Sequence, residues 1–129
     1  MRRVTADPID DAIAKVRGVY SRWRRDTPVA QMRGDWDRLF DAPTSAEIAR
    51  AEVGGVPCQW FHPAASRRDR VIVYLHGGGF RMGSLASHRE MIGRLAAEAG
   101  VQALGAEYAR PFVEGQVAGD DGRAAFVSV

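Results

Sequence analysis

The chain of 129 residues sets 18 Lys and Arg against 16 Asp and Glu, a formal net charge of +2, and is 46% apolar. That composition suits one globular core, or part of one, and excludes a disordered chain. The basic residues are scattered among the acids from Arg2 to Arg123, which leaves no footprint for nucleic acid, and Cys58 stands alone, so no disulfide can form within the chain.

No apolar run approaches the roughly 20 residues of a membrane span, and Met1-Arg2-Arg3 leads into Asp7-Pro8 instead of an apolar signal core. The expectation is a cytoplasmic protein. The first element is predicted at Asp7-Pro8, where an Asp side chain can accept free N–H groups and Pro at the first helical position loses no hydrogen bond. Ile9, Ile13, Val16, Tyr20 and Trp23 then repeat at helical spacing, giving an amphipathic helix that ends before Pro28. Arg22-Trp23-Arg24-Arg25 is the densest basic stretch; we read it as a solvated helix face with one buried Trp, the alternative being a nucleic-acid patch. Val29, Met32, Trp36 and Leu39 mark a second helix from about Pro28 to Phe40.

After Pro43, Gly54-Gly55 separates two candidate strands, about Ile48 to Val53 and Val56 to His62, which predicts a hairpin. Thr44 and Glu47 offer an alternative, a capping box that would make the first segment a short helix. Cys58 falls in the second strand, where a small buried filler is expected. Pro63 to Asp69 reads as a polar loop, and Arg70 to Leu75 as a strand covered on both faces in a parallel sheet. Ser87-His88-Arg89-Glu90 predicts a capping box opening a helix with Met91, Ile92, Leu95, Ala96 and Ala99 on its apolar side and Gly100 at its end. A strand follows from Val101 to Leu104, extending toward Tyr108, so the order is that of a right-handed βαβ unit. Asp120-Asp121 suggests the start of one more helix.

The chemistry is concentrated in His76-Gly77-Gly78-Gly79-Phe80, directly after the apolar strand. Three consecutive glycines strip the backbone of side chains and leave bare N–H groups. Donors of that kind, fixed in advance, stabilise the oxyanion that forms in acyl transfer. Gly78 and Gly79 are the candidate donors, Gly77 shapes the loop, and His76 is expected to hydrogen-bond the loop backbone and hold its form. A phosphate cradle and a purely structural turn are the rival readings; neither G-x-G-x-x-G nor the G-K-[ST] ending of a P-loop is present. No metal-ligand pattern and no cofactor motif appears.

From Gly55 to Tyr108 the chain resembles the bacterial hormone-sensitive-lipase-like esterases of the α/β-hydrolase class. The resemblance rests on Gly55-Val56-Pro57, Pro63, Val71 through Phe80, Gly83-Ser84, Ser87-His88-Arg89 and Glu107-Tyr108. It implies an α/β chain forming the N-terminal part of an α/β-hydrolase fold with an incomplete sheet: cap-like helices over 1–42, then hairpin and βαβ unit within 43–129. It also implies Gly78 and Gly79 as oxyanion donors and short or medium acyl esters, or lactones, as substrates. Where the family usually reads Asp/Glu-Tyr-Arg-Leu-Ala-Pro-Glu, this chain reads Glu107-Tyr108-Ala109-Arg110-Pro111-Phe112-Val113-Glu114, which puts the support beneath the loop in question. The family's nucleophile elbow, G-x-S-x-G, does not occur, nor do the Asp and His that follow it. Ser84 and Ser87 lie near the loop outside any elbow, and His62 and His88 are explained by burial or exposure. Two readings follow: an N-terminal portion of a serine carboxylesterase, inactive alone, or a non-catalytic remnant that serves as a binding module. On either, the strand ending at Leu75 should present an unpaired apolar edge open to self-association.

Overall fold

Asp7 starts the first helix through its side chain. In the computed structural model, which describes residues 7–108, 112–113 and 116–117, the Asp7 carboxylate accepts the Ile9 N–H at 2.9 Å with Pro8 in the first turn. Helix α1 spans Pro8–Tyr20 and α2 spans Val29–Phe40. The first helix is shorter than its apolar stripe foretells. Trp23 lies beyond it, half-buried in the α1–α2 corner, where its indole N–H is donated to Asp35 at 3.0 Å and its ring meets Tyr20 edge-on at 4.7 Å. That hydrogen bond, with the Arg38 guanidinium beside it, holds the Asp35 carboxyl below the usual carboxylate value. Val19, which the expected stripe leaves out, is buried, whereas Ile9, Ile13 and Tyr20 of the stripe are exposed, so most of the stripe has little covering it.

The hairpin forms where Gly54-Gly55 places it. Strand β1, Glu47–Val53, pairs antiparallel with β2, Val56–His62, in a register that sets Val53 opposite Val56. Gly54 and Gly55 sit at φ 58° and 80°, the sign pattern a type I′ two-residue turn requires. This excludes the short-helix alternative: Glu47 opens the strand, and the Thr44 hydroxyl accepts the Ala46 N–H instead of capping a helix. Cys58 is buried, as expected of a filler.

Strand β3, Arg67–Leu75, leads through helix α3, Leu85–Ala99, into β4, Val101–Ala106, which lies parallel to β3 and antiparallel to β2. The sheet order is β1-β2-β4-β3. Two boundaries differ from expectation. The polar loop ends earlier, because Arg67 pairs with Val101 across an irregularity before Val71 and donates its N–H to Gly100. Helix α3 starts three residues earlier, because Ser84 is its cap: the Ser84 side chain accepts the Ser87 N–H, and the Ser87 hydroxyl accepts the Ser84 N–H. At the far end Gly100 closes the helix in the left-handed conformation.

The expectation that β3 is covered on both faces is also corrected. Ile72 and Tyr74 pack toward the core, whereas Val71, Val73 and Leu75 are 45%, 57% and 55% exposed. α3 covers one face only, and β3 is an outer strand among the described residues. The core between α3 and the sheet consists of Ala46, Phe61, Leu85, Ile92, Ala96 and Ala103. Gly105 on β4 lets the helix come close, since a Cβ there would stand 2.6 Å from Leu85 Cδ2. Ile92 is fully buried, so Ile92→Ala is expected to cost about 2–5 kcal/mol, measured as a lower urea midpoint at unchanged slope. Two-residue strands β5, Phe112–Val113, and β6, Gln116–Val117, pair with each other. The helix expected from Asp120 lies outside the described residues.

Candidate active site

The C-terminal end of β3 delivers the chain into the Gly-rich loop. Gly78 has φ 137°, and a Cβ on it would lie 2.0 Å from the Met82 carbonyl oxygen. No side chain fits there. Gly83 at φ 84° is equally closed, with the Gly77 oxygen 2.1 Å from its would-be Cβ, so both ends of the turn demand glycine. Between them Arg81 and Met82 donate their N–H groups to the Gly78 carbonyl at 3.1 and 3.0 Å. Gly79 and Phe80 also have positive φ, 61° and 57°, which is strained backbone for the phenylalanine. Among the described residues, the N–H groups of Gly78 and Gly79 have no protein acceptor.

His76 is buried under this loop. Its Nδ1 lies 3.0 Å from the Gly77 oxygen, and because a carbonyl only accepts, Nδ1 carries the proton. Its Nε2 faces Glu107 Oε1 at 3.6 Å. The Tyr108 ring stacks on the imidazole at a centroid distance of 4.4 Å, and the Tyr108 hydroxyl donates to the His76 carbonyl. Glu107 Oε2 in turn accepts the Leu85 N–H at 2.8 Å, in the first turn of α3. One carboxylate thus joins the end of β4, the start of α3 and the histidine beneath the loop. The first two residues of the altered 107–114 segment therefore support the loop; 109–111 and 114 lie outside the described residues.

The serines and histidines near the loop are occupied. Ser84 Oγ donates to Asp37 Oδ1 at 2.7 Å while accepting from Ser87 N–H. Ser87 Oγ donates to the Ser84 carbonyl at 3.1 Å and lies 3.0 Å from His88 Nδ1, which is also 3.1 Å from that same carbonyl. These are bonds of a helix start. His62 closes β2 stacked on Trp60. Among the described residues, no group of His, Cys, Asp and Glu is arranged to hold a metal, and no helix is long and apolar enough to cross a membrane.

Sequence reading missed the part that α2 plays. Arg33 Nε donates to the Arg81 carbonyl at 2.7 Å, Asp37 receives Ser84, and Asp41 lies 3.8 Å from Arg89. The signal was available as a polar spacing of four, 33, 37 and 41, beside the apolar one. On the adjoining face Trp36 and Phe40, with His88 and Met91 of α3, line an open groove of about 450 Å³.

Comparison with known proteins agrees with this geometry. A family model described as the alpha/beta hydrolase fold matches residues 72–127. An acetyl-hydrolase of Streptomyces hygroscopicus is 42% identical over 91 residues, covering 67% of this chain and 30% of that protein. A crystal structure of an esterase from the bacterial hormone-sensitive lipase family superposes with TM-score 0.74 at 30% identity, covering 82% of this chain and 36% of that one. The protein EstE5, in a crystal soaked with p-nitrophenyl butyrate, gives TM-score 0.65 at 25% identity, with 81% and 36% covered. The chain spans about a third of the length of these relatives. Its fold matches part of the α/β-hydrolase fold, and in sequence and structure it is similar to the esterases of the bacterial hormone-sensitive lipase family.

Proposed function

We propose that this chain supplies the oxyanion-stabilising side of a carboxylic-ester hydrolase, with the N–H groups of Gly78 and Gly79 as donors. The observation that carries the reading is the pair of adjacent N–H groups without an acceptor among the described residues, on a loop held from below by His76, Glu107 and Tyr108. When a nucleophile attacks an ester carbonyl, negative charge moves onto the carbonyl oxygen. Donors already fixed toward that position stabilise the tetrahedral intermediate without reorganising. His76 and Gly77 keep the loop in shape; His76, with Nδ1 bound to the loop, is not the base. The nucleophile, its histidine and its carboxylate lie outside this chain, which is inert alone. Residues 1–42 act as a cap-like segment over the site and 43–129 as part of the hydrolase domain, in a cytoplasmic enzyme with no cofactor. Short or medium acyl esters, or lactones, are the substrates, in keeping with a relative named acetyl-hydrolase and another soaked with a butyrate ester.

A chimera tests this reading. Residues 7–108 would replace the matching segment of the 30%-identical bacterial esterase, and a short-chain nitrophenyl ester would be assayed. Turnover is expected to survive at a measurable fraction of the parent's. A folded chimera without turnover would sink the assignment.

The alternative, a non-catalytic interaction module, draws on one observation: Val71, Val73 and Leu75 form an exposed apolar row on an outer strand. Such edges pair with other chains. The isolated chain is therefore expected to self-associate; sedimentation that returned a monomer at all concentrations would count against an open β3 edge.

A further inference from the structure

Helix α2 touches the Gly-rich loop at two backbone-defining points, and both contacts come from one face of the helix. Arg33 and Asp37 are one turn apart, which puts their side chains in line. Arg33 Nε donates to the Arg81 carbonyl at 2.7 Å, and Asp37 Oδ1 accepts the Ser84 hydroxyl at 2.7 Å. Arg81 belongs to the turn whose N–H groups close on the Gly78 carbonyl, and Ser84 caps α3 immediately after Gly83. We infer that Arg33 and Asp37 are positioning residues: together they clamp the descending half of the loop, 81–84, and so set the orientation of the Gly78 and Gly79 N–H groups. The catalytic meaning of this clamp rests on the oxyanion reading above; the clamp itself does not.

Four physical points favour it. Loop residues 78, 79, 80 and 83 all have positive φ, and Phe80 does so without the freedom of glycine, so the loop needs outside contacts to hold that form. Both contacts are charge-assisted, which makes them stronger than neutral hydrogen bonds. The Ser84 and Asp37 pair is also partly buried, unlike the exposed Arg89 and Asp41 pair, which adds little. Asp37 further places a carboxylate at the N-terminus of α3, where the helix dipole favours it.

Hydrogen–deuterium exchange of the intact chain, read by mass spectrometry, tests the clamp without any ester. Arg33→Met puts a methyl where Nε stands and keeps the aliphatic stem; Asp37→Leu keeps shape and removes the acceptor. In each, the peptide carrying Arg81 and Met82 is expected to exchange on the order of tenfold faster, the effect of losing the charge-assisted hydrogen bond that ties this turn to α2. Peptides from β4 and the middle of α3 should not change. Arg33→Lys, with an amine one bond beyond the lost Nε, and Asp37→Asn, which still accepts from Ser84, should restore much of the protection. If Asp37→Leu unfolds the chain, Arg33→Met decides alone. Unchanged loop exchange in Arg33→Met, or a rise shared equally by β4, would overturn the clamp. Failure of the ester-hydrolase reading would leave the exchange pattern intact, so the two are separable.

Discussion

Gly78→Ala in the esterase chimera is expected to lower kcat by about 10²- to 10³-fold, the usual loss when one oxyanion donor is removed or misaimed. The backbone at Gly78 lies at φ 137°, outside what an L side chain adopts, and the added Cβ would stand 2.0 Å from the Met82 carbonyl. Because that carbonyl is backbone, the turn itself must shift, and the Gly78 and Gly79 N–H groups shift with it. Gly79→Ala provides the contrast. Its φ of 61° is left-handed, yet nothing lies within 4 Å of the would-be Cβ. The cost there is local strain of about 1–2 kcal/mol with the loop path kept, so a smaller fall is expected. KM should move little in either, since the interaction is made chiefly in the transition state. Steady-state kinetics on the chimera and both variants settle the matter, and a Gly78→Ala enzyme with parental kcat would rule out the oxyanion role proposed for this loop.

The parts of the fold that were legible in the sequence are those decided within a few residues. Asp7 and Pro8 start α1, Gly54-Gly55 makes the I′ turn and Gly100 ends α3, since each demands a backbone shape or a cap that few residue types supply. The Gly-rich loop was legible for the same reason. Positions 78 and 83 have no room for a Cβ, and glycine at such sites is visible as glycine.

What was misread depends on partners distant in sequence. Periodicity reports which side chains share a face, and it is silent on whether another layer lies against that face. The run from Val71 to Leu75 looked buried on both sides, yet it has α3 and the core on one side only. Trp23 continued the stripe of α1 and instead serves a corner, because Asp35 of α2 is there to receive its indole N–H. Glu90 completes a capping-box pattern with Ser87, yet Ser84 caps α3, since Ser87 itself returns the second hydrogen bond and Asp37 and Glu107 steady the same turn from α2 and the end of β4. The Arg33 and Asp37 contacts span 48 and 47 residues, beyond the reach of local pattern.

The chain by itself is expected to show no esterase turnover. Triad removal from an otherwise intact serine hydrolase leaves a residual acceleration of about 10³- to 10⁴-fold over water, sustained by the oxyanion hole and substrate binding. That residue presupposes a walled site, whereas here the loop opens beside an exposed strand row at Val71, Val73 and Leu75. The two serines nearest the loop are poor substitutes for a nucleophile. Ser84 is buried with its hydroxyl donated to Asp37, and Ser87 is buried with its hydroxyl donated to the Ser84 carbonyl. The Ser84 proton is shared with a carboxylate, a weak base for a hydroxyl, and the Ser87 proton with a carbonyl, which is no base at all; His88 Nδ1 lies against the same Ser84 carbonyl at 3.1 Å, inside the helix start. The measurement is fluorophosphonate labelling of the purified chain together with a short-chain nitrophenyl ester assay, using protein from a host lacking related esterases. Labelling should stay far below one per chain, and ester hydrolysis should match buffer. Ser84→Ala and Ser87→Ala should each lose about 1 kcal/mol of stability through the weakened cap and leave hydrolysis where it was. Stoichiometric labelling with repeated turnover, abolished by either substitution, would instead place the nucleophile inside this chain and make one of these capping serines catalytic.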